Sequence, residues 1–258
     1  MSVIALTREV SSSFANCELT HLARVAIDVE KAAAQHAAYE RVLRNLGCSV
    51  QRIAGGPDMP DSVFIEDAAV VLDEIAILTM PGAVSRRAET PGVEAALGAH
   101  RPLMRIELPG TIDGGDVMVV GRSVFVGCSG RTNISAVEQM RAMIAPFGYS
   151  LQPVSVRGCL HLKSAVTALD DATLLINPDW ARADEFPGFD LVAVAPREAS
   201  AANIVRVNGA LVHSAAFPAT LETLVRRGYA VTPVDVSEIA KAEGAVTCCS
   251  LIFNERGN

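Results

Sequence analysis

Five short segments carry a polar or nucleophilic side chain at the head of an apolar run, and they recur at nearly even spacing. The heads are Glu66-Asp67 before AAVVLDEIAILT, Asp113 in DGGDVMVVGRSVFVG, His161 in HLKSAVTALDDATLLI, Asn203 in NIVRVNGALVHS and Cys248 in CCSLIF. From Asp67 onward the steps between heads are 46, 48, 42 and 45 residues. A thiol, an imidazole and several carboxylates are the parts of covalent catalysis. The thiolate is the nucleophile, and a histidine beside it serves as general acid and base. Taken singly, each head has an ordinary reading. A buried cysteine is usually a small hydrophobe, a lone histidine a core residue, and Asp-Gly-Gly-Asp mere turn chemistry. What sets them apart is their common register. Glu66-Asp67 stands directly before a strongly apolar strand, where carboxylates are costly without cationic partners, so a cationic substrate is their natural complement. Of the pair Cys248-Cys249, adjacent residues on a strand face opposite ways, so at most one looks into a shared pocket.

Each head is followed by an apolar run, a tight polar turn and a second apolar run, which is the pattern of a β-hairpin. Between the hairpins the period changes. Apolar or aromatic residues at 29, 32, 39, 43 and 46, with His36 in the same stripe, define one helix face, with Asp28 as N-cap and Gly47 as stop. Arg131-Thr132-Asn133 opens a second helix with Val137, Met140 and Ile144 inside, ended by Gly148. Pro218 begins a third, closed by Gly228. A short apolar strand follows each helix: SVQRIA, YSLQPVSV and YAVTPVDV. A fixed period of this length marks a repeat architecture of propeller or solenoid type, whose equivalent heads converge at one end of a common axis. The final strand SLIF lacks a partner of its own and is expected to pair with VIALT at the N-terminus, closing the ring and removing its open edges. The expectation is one catalytic domain over 1–258.

Composition narrows the class. Half of the 258 residues are hydrophobic, 50%, so a sizeable core can form, and no apolar run approaches the roughly 20 residues of a membrane span. Net charge is −7 with no long basic cluster, which argues against nucleic acid as partner. The start MSVIALTREV carries no secretory pattern. The six cysteines are scattered without a C-x-x-C pair and are expected to be reduced thiols in a cytoplasmic protein. Cys17, Cys48, Cys128 and Cys159 are read as non-catalytic, and His21, His36, His100 and His213 as structural or surface residues. The segment SSSFANCELTH (11–21) reads either as a solvated loop or as a lid.

Six motifs resemble, in order and with similar spacing, the dimethylarginine dimethylaminohydrolase family: PDSVFIEDAAVV (60–71), PGAVSRR (81–87), TIDGGDVMVVGR (111–122), SGRTN (129–133), HLKS (161–164) and VTCCSLI (246–252). The resemblance implies a five-bladed α/β propeller of ββαβ units, and hydrolysis of methylated arginine to citrulline and a methylamine without metal or organic cofactor. It implies Cys248 as nucleophile, His161 as acid and base, and Asp113 as the carboxylate that orients the histidine. It further implies that Asp67 grips the guanidinium with Glu66 beside it, and that Phe64 packs near the methyl groups. Asp61 and the main-chain carbonyl of Leu19 would take the α-amino group, Arg86 and Arg131 the α-carboxylate, and the backbone around Ala242 would complete the pocket. Two other readings stay open. One is an arginine deiminase or amidinotransferase of the same superfamily; the other is a non-catalytic propeller scaffold. The oligomeric state, monomer or homodimer, is left open.

Overall fold

The protein is described here over residues 2–255 by a computed structural model. Strand β1 (Val3–Arg8) leads through a loop and a 3-10 turn (Phe14–Asn16) to helix α1 (Val29–Asn45) and strand β2 (Cys48–Ile53). Next come β3 (Ala69–Val71), β4 (Ala76–Leu78), α2 (Thr90–Leu97) and β5 (Leu103–Arg105), then β6 (Val117–Val120), β7 (Ser123–Cys128), α3 (Ile134–Ile144) and β8 (Ser150–Ser155). The one-turn helix α4 (Leu162–Ala165) precedes β9 (Val166–Ala168), β10 (Thr173–Ile176) and β11 (Asp190–Ala193). The chain continues with β12 (Ile204–Val207), β13 (Ala210–Ser214), α5 (Pro218–Arg226), β14 (Val231–Val234), α6 (Ser237–Ala240) and β15 (Leu251–Asn254).

These strands form five three-stranded sheets, β3-β4-β5, β6-β7-β8, β9-β10-β11, β12-β13-β14 and β15-β1-β2. In each, the first two strands are antiparallel and the third is parallel to the second. The fold is therefore a five-bladed α/β propeller. Four blades are continuous in sequence. The fifth is assembled from both ends, with Val3 opposite Asn254 and Leu6 opposite Leu251, as the unpartnered SLIF segment requires. Closure leaves no inner strand without neighbours. The blade β9-β10-β11 departs from the ββαβ pattern. A 3-10 turn (Ala183–Glu185) stands where the others have a helix.

Local chemistry sets the helix ends. The Asp28 side chain accepts a hydrogen bond from Lys31 N at 2.9 Å, and Asn133 caps α3 through Ala136 N at 3.1 Å. Gly47, Gly148 and Gly228 carry φ of +92°, +77° and +90° past their helices, a backbone region that a Cβ disfavours. The innermost strands line a central cavity of about 310 Å3, with Ala69–Val71, Val117–Val119, Thr167, Ile204, Val205 and Leu251 on its wall. The heads are not on the strands themselves. A single helical turn precedes each inner strand, at Ile65–Ala68, Gly114–Asp116, Leu162–Ala165, Ala199–Ala202 and Thr247–Cys249. These turns gather at one end of the ring. Among the described residues, no helix is long and apolar enough to cross a membrane.

Candidate active site

Of the residues that the resemblance implies for the site, all but Leu19 and Glu66 line one cleft at that end. Cys248 sits in the Thr247–Cys249 turn with its Sγ accepting from Ala245 N at 3.4 Å. Its neighbour Cys249 turns away, fully buried in the apolar core, its thiol reaching Ala245 O at 3.6 Å. The two side chains diverge because the backbone makes a 3-10 turn there, rather than by the alternation of a strand.

His161 caps the one-turn helix α4. One ring nitrogen, Nε2, lies 3.1 Å from Asp113 Oδ2, and the other, Nδ1, lies 3.8 Å from Asp67 Oδ1. Asp113 is itself oriented by Gly82 N, which donates to Oδ1 at 2.9 Å. Asp116, the second acid of DGGD, was not picked out in the sequence, yet it fixes the histidine's turn. Its Oδ1 accepts from Leu162 N at 2.9 Å, while Ser129 and Thr132 donate to Oδ2 at 2.5 and 2.6 Å. The available signal was the motif itself, with two acids three residues apart on one turn. Burial opposes a charge on His161, but Asp67, Asp113 and Asp116 overcome it and lift the imidazole to about 9. Burial would likewise raise the carboxyl of Asp67, and the positive charges of His161 and Arg86 outweigh it, holding that carboxyl at about 2. For Cys248 the opposing pull, from the Ala245 N–H and the Lys163 charge, is too weak. Burial, with Glu66 and Asp67 adding to it, pushes the thiol to about 12. At neutral pH the free site therefore holds a thiol beside an imidazolium.

The glycines of DGGD are required by this packing. A Cβ on Gly115 would stand 2.6 Å from His161 Nδ1 and 2.8 Å from Asp67 Oδ1, and Gly115 N donates to that same oxygen at 2.9 Å. Gly115→Ala is therefore expected to displace the imidazole and lower kcat by about 100-fold in a folded protein, as misplacements near 1 Å do. A folded variant with kcat within about threefold of the parent would place the imidazole elsewhere.

Arg86 reaches the cleft as a buried guanidinium already engaged by protein groups. It meets Asp67 Oδ2 at 2.5 Å, Glu89 at 2.8 and 3.1 Å, and the carbonyls of Asp61 and Phe64 at 3.2 and 3.1 Å. Among the described residues, one Nη1 hydrogen is left for a ligand. Arg131 is less committed, meeting Thr20 Oγ1 at 3.2 Å and Glu18 Oε2 at 3.5 Å. Asp61 accepts from Glu18 N at 3.1 and 3.2 Å, and burial raises its carboxyl despite Arg86 nearby. Phe64 packs edge-on to Phe14 at 5.9 Å, and Ala242 lies buried on the wall.

One placement differs from the sequence expectation. Glu66 does not stand beside Asp67 in the cleft. The 3-10 turn swings it to the central cavity, where it pairs with Lys163 at 2.5 Å and accepts from Thr247 Oγ1 at 2.8 Å. The Leu19 side chain packs against the apolar core, while its neighbour Glu18 lines the cleft. Asp67, Asp113 and His161 bring three ligand atoms within 4.8 Å of one another, a set that could hold a metal ion. In this structure those atoms instead meet one another, Arg86 and the backbone N–H groups of Gly82 and Gly115.

Residues 23–168 match the family described as N,N dimethylarginine dimethylhydrolase, eukaryotic. The chain is 40% identical over 258 residues to the N(G),N(G)-dimethylarginine dimethylaminohydrolase of Streptomyces coelicolor, with 97% of each chain covered. It superposes with a TM-score of 0.92 on dimethylarginine dimethylaminohydrolase from Pseudomonas aeruginosa, solved as a cysteine-to-serine variant with citrulline; identity is 34%, over 98% of this chain and 100% of that one. A histidine-to-glycine variant of a dimethylarginine dimethylaminohydrolase, solved as an adduct with S-methyl-L-thiocitrulline, gives 0.93 at 35% identity, again over 98% and 100%. With more than half of its length matched to the family and near-complete overlap with a relative of 40% identity, this chain belongs to the dimethylarginine dimethylaminohydrolase family, a family of hydrolases.

Proposed function

We propose that the protein hydrolyses asymmetric dimethylarginine and monomethylarginine to citrulline and di- or monomethylamine, with Cys248 as the covalent nucleophile. The observation that carries this reading is the layout of charges in one cleft. Asp67 offers a carboxylate to a guanidinium, Asp61 one to an α-ammonium, and Arg131 with the free Nη1 hydrogen of Arg86 meets an α-carboxylate. A basic amino acid thus finds a partner for each of its three charges, with Cys248 and His161 between them. The citrulline and thiocitrulline bound by the relatives support the same ligand class.

The chemistry follows from the protonation states. A bound guanidinium beside Cys248 favours the thiolate, which is otherwise suppressed, so the thiol releases its proton to solvent when substrate is present, His161 already carrying one. The thiolate attacks the central guanidinium carbon. His161, already an imidazolium, gives its proton to the departing methylamine, leaving an S-alkylthiouronium on Cys248. The neutral imidazole then takes a proton from water as that water attacks, and collapse of the adduct returns the Cys248 thiolate and releases citrulline. Asp113 holds the ring through both steps, and Asp67 fixes the guanidinium plane.

The cleft as it stands encloses about 20 Å3, room for a single water. Segment 11–21 closes it. The Glu18 N–H occupies Asp61 and the Glu18 carboxylate, which also accepts from Ser85, faces Arg131, the two positions assigned to the substrate's amino-acid end. Glu18 must leave for substrate to enter. Glu18→Ala is expected to lower KM by roughly two- to fivefold with kcat little changed, the scale of a partly exposed ion pair. An increase in KM in a steady-state assay would show that Glu18 helps to hold substrate instead.

The experiment that tests the function is kcat/KM for arginine, monomethylarginine, asymmetric dimethylarginine and symmetric dimethylarginine, read as citrulline release. The monomethyl and asymmetric compounds are expected to be turned over, and the other two poorly. Each methyl buried near Phe64 contributes only ~0.8 kcal/mol, about fifteenfold for two. The rest must come from Asp67, which loses a hydrogen bond if both terminal nitrogens are methylated, at a cost of roughly 1–3 kcal/mol. Free arginine as best substrate, releasing ammonia, would make the protein a deiminase.

A further inference from the structure

Asn203 is the one repeat head without a part in the reaction, and its side chain makes three hydrogen bonds. It is only 4% exposed. Its Oδ1 accepts from Thr247 N at 3.0 Å, and its Nδ2 donates to Thr247 Oγ1 at 3.0 Å and to Lys163 O at 3.0 Å. Thr247 immediately precedes Cys248, and Lys163 lies two residues after His161. The Thr247 hydroxyl passes its own hydrogen to Glu66 Oε2 at 2.8 Å, and Glu66 precedes Asp67. One buried amide therefore joins three turns, those bearing the nucleophile, the acid and base, and the guanidinium-binding carboxylate.

We propose that Asn203 is a positioning residue, holding the Thr247-Cys248 turn in register with the His161 turn for attack. The inference rests on the proposed roles of Cys248 and His161. An amide suits the position because the joint needs one acceptor for a backbone N–H and two donors, for a hydroxyl oxygen and a carbonyl, on one small planar group. A carboxylate there would offer no donors, and a leucine would strip the buried Thr247 N–H and the half-buried Lys163 O of these bonds. The blade β6-β7-β8 makes a parallel joint, where Asp116 accepts from Leu162 N, the residue after His161. In both cases the head region of one blade fixes the backbone beside the reactive side chain of the next. Thr247 is 6% exposed, so water has little access to replace the amide.

The test uses Asn203→Ala, Asn203→Asp, Thr247→Val and Thr247→Ser in the full chain, with two readouts. In steady-state hydrolysis of asymmetric dimethylarginine, Asn203→Ala, Asn203→Asp and Thr247→Val are each expected to lose on the order of 10- to 100-fold in kcat, with KM within about twofold. Thr247→Ser keeps the hydroxyl and the backbone N–H and should retain kcat within about threefold. The double variant Asn203→Ala/Thr247→Val should be no worse than the poorer single, because both cut the same joint. The second readout needs no turnover: alkylation by iodoacetamide against pH, mapped by peptide mass spectrometry. Loosening the turn should raise the alkylation rate of Cys248 several-fold while Cys17 and Cys249 stay protected, which separates local repositioning from unfolding. A folded Asn203→Ala or Thr247→Val variant with parental kcat and a parental Cys248 alkylation profile would overturn the proposal, as would a purely KM effect. If the parent released no citrulline, the functional reading would fall and the alkylation profiles alone would decide the joint. Should Asn203→Ala fail to fold, Thr247→Val, which keeps the backbone bond to Oδ1, carries the decision.

Discussion

Cys248→Ser is expected to lower kcat by at least about 10^4-fold, because a serine hydroxyl at this position has neither the thiolate's nucleophilicity nor a free base to activate it. His161 cannot act as that base, since the surrounding carboxylates keep it protonated. Binding should survive. The partners for the substrate's three charges are untouched, so citrulline affinity by calorimetry should stay within a few-fold of the parent. Cys249→Ser provides the contrast. Its side chain is buried away from the cleft and touches Ala245 O, so kcat should remain within about threefold. The substitution acts on stability, where each 1 kcal/mol lost moves Tm by about 2–4 °C in a chain of this size. An equal loss of kcat from both substitutions would sink the assignment of Cys248.

His161→Gly should lower kcat at least about 10^3-fold, because it removes both the proton for the leaving amine and the base for water. Small substrates with good leaving groups should still alkylate Cys248 in this variant. The thiouronium should then accumulate, read as an added mass on the intact protein. The parent's pH profile follows from the same two groups. Well below 9 the imidazolium is fully present, while the thiolate of a thiol near 12 increases about tenfold per pH unit. Thus kcat/KM should rise with pH through the neutral range and level off near 9, where further thiolate is offset by loss of the imidazolium. A profile flat between pH 6 and 8 would contradict a neutral resting thiol.

Much of this site was legible in the sequence because its determinants are local. Hairpin alternation, the Asp28 and Asn133 caps and the glycines after α1, α3 and α5 depend on neighbours a few residues away. Closure by β15 on β1 was legible too, since a lone apolar strand at each end needs a partner. Equal spacing of the heads then placed Asp67, Asp113, His161, Asn203 and Cys248 at one end of the ring. Side-chain direction within a head was not legible. Glu66 and Asp67 are adjacent, and only the 3-10 turn before β3, packed against the turns of its neighbouring blades, sends one to the cavity and Lys163 and the other to the cleft. The same holds for Glu18, whose carboxylate faces Arg131, and for Arg86, whose partner Asp67 lies 19 residues away. Protonation states were furthest out of reach. They are sums of burial and of charges brought from different blades, and those distances exist only once the ring has closed.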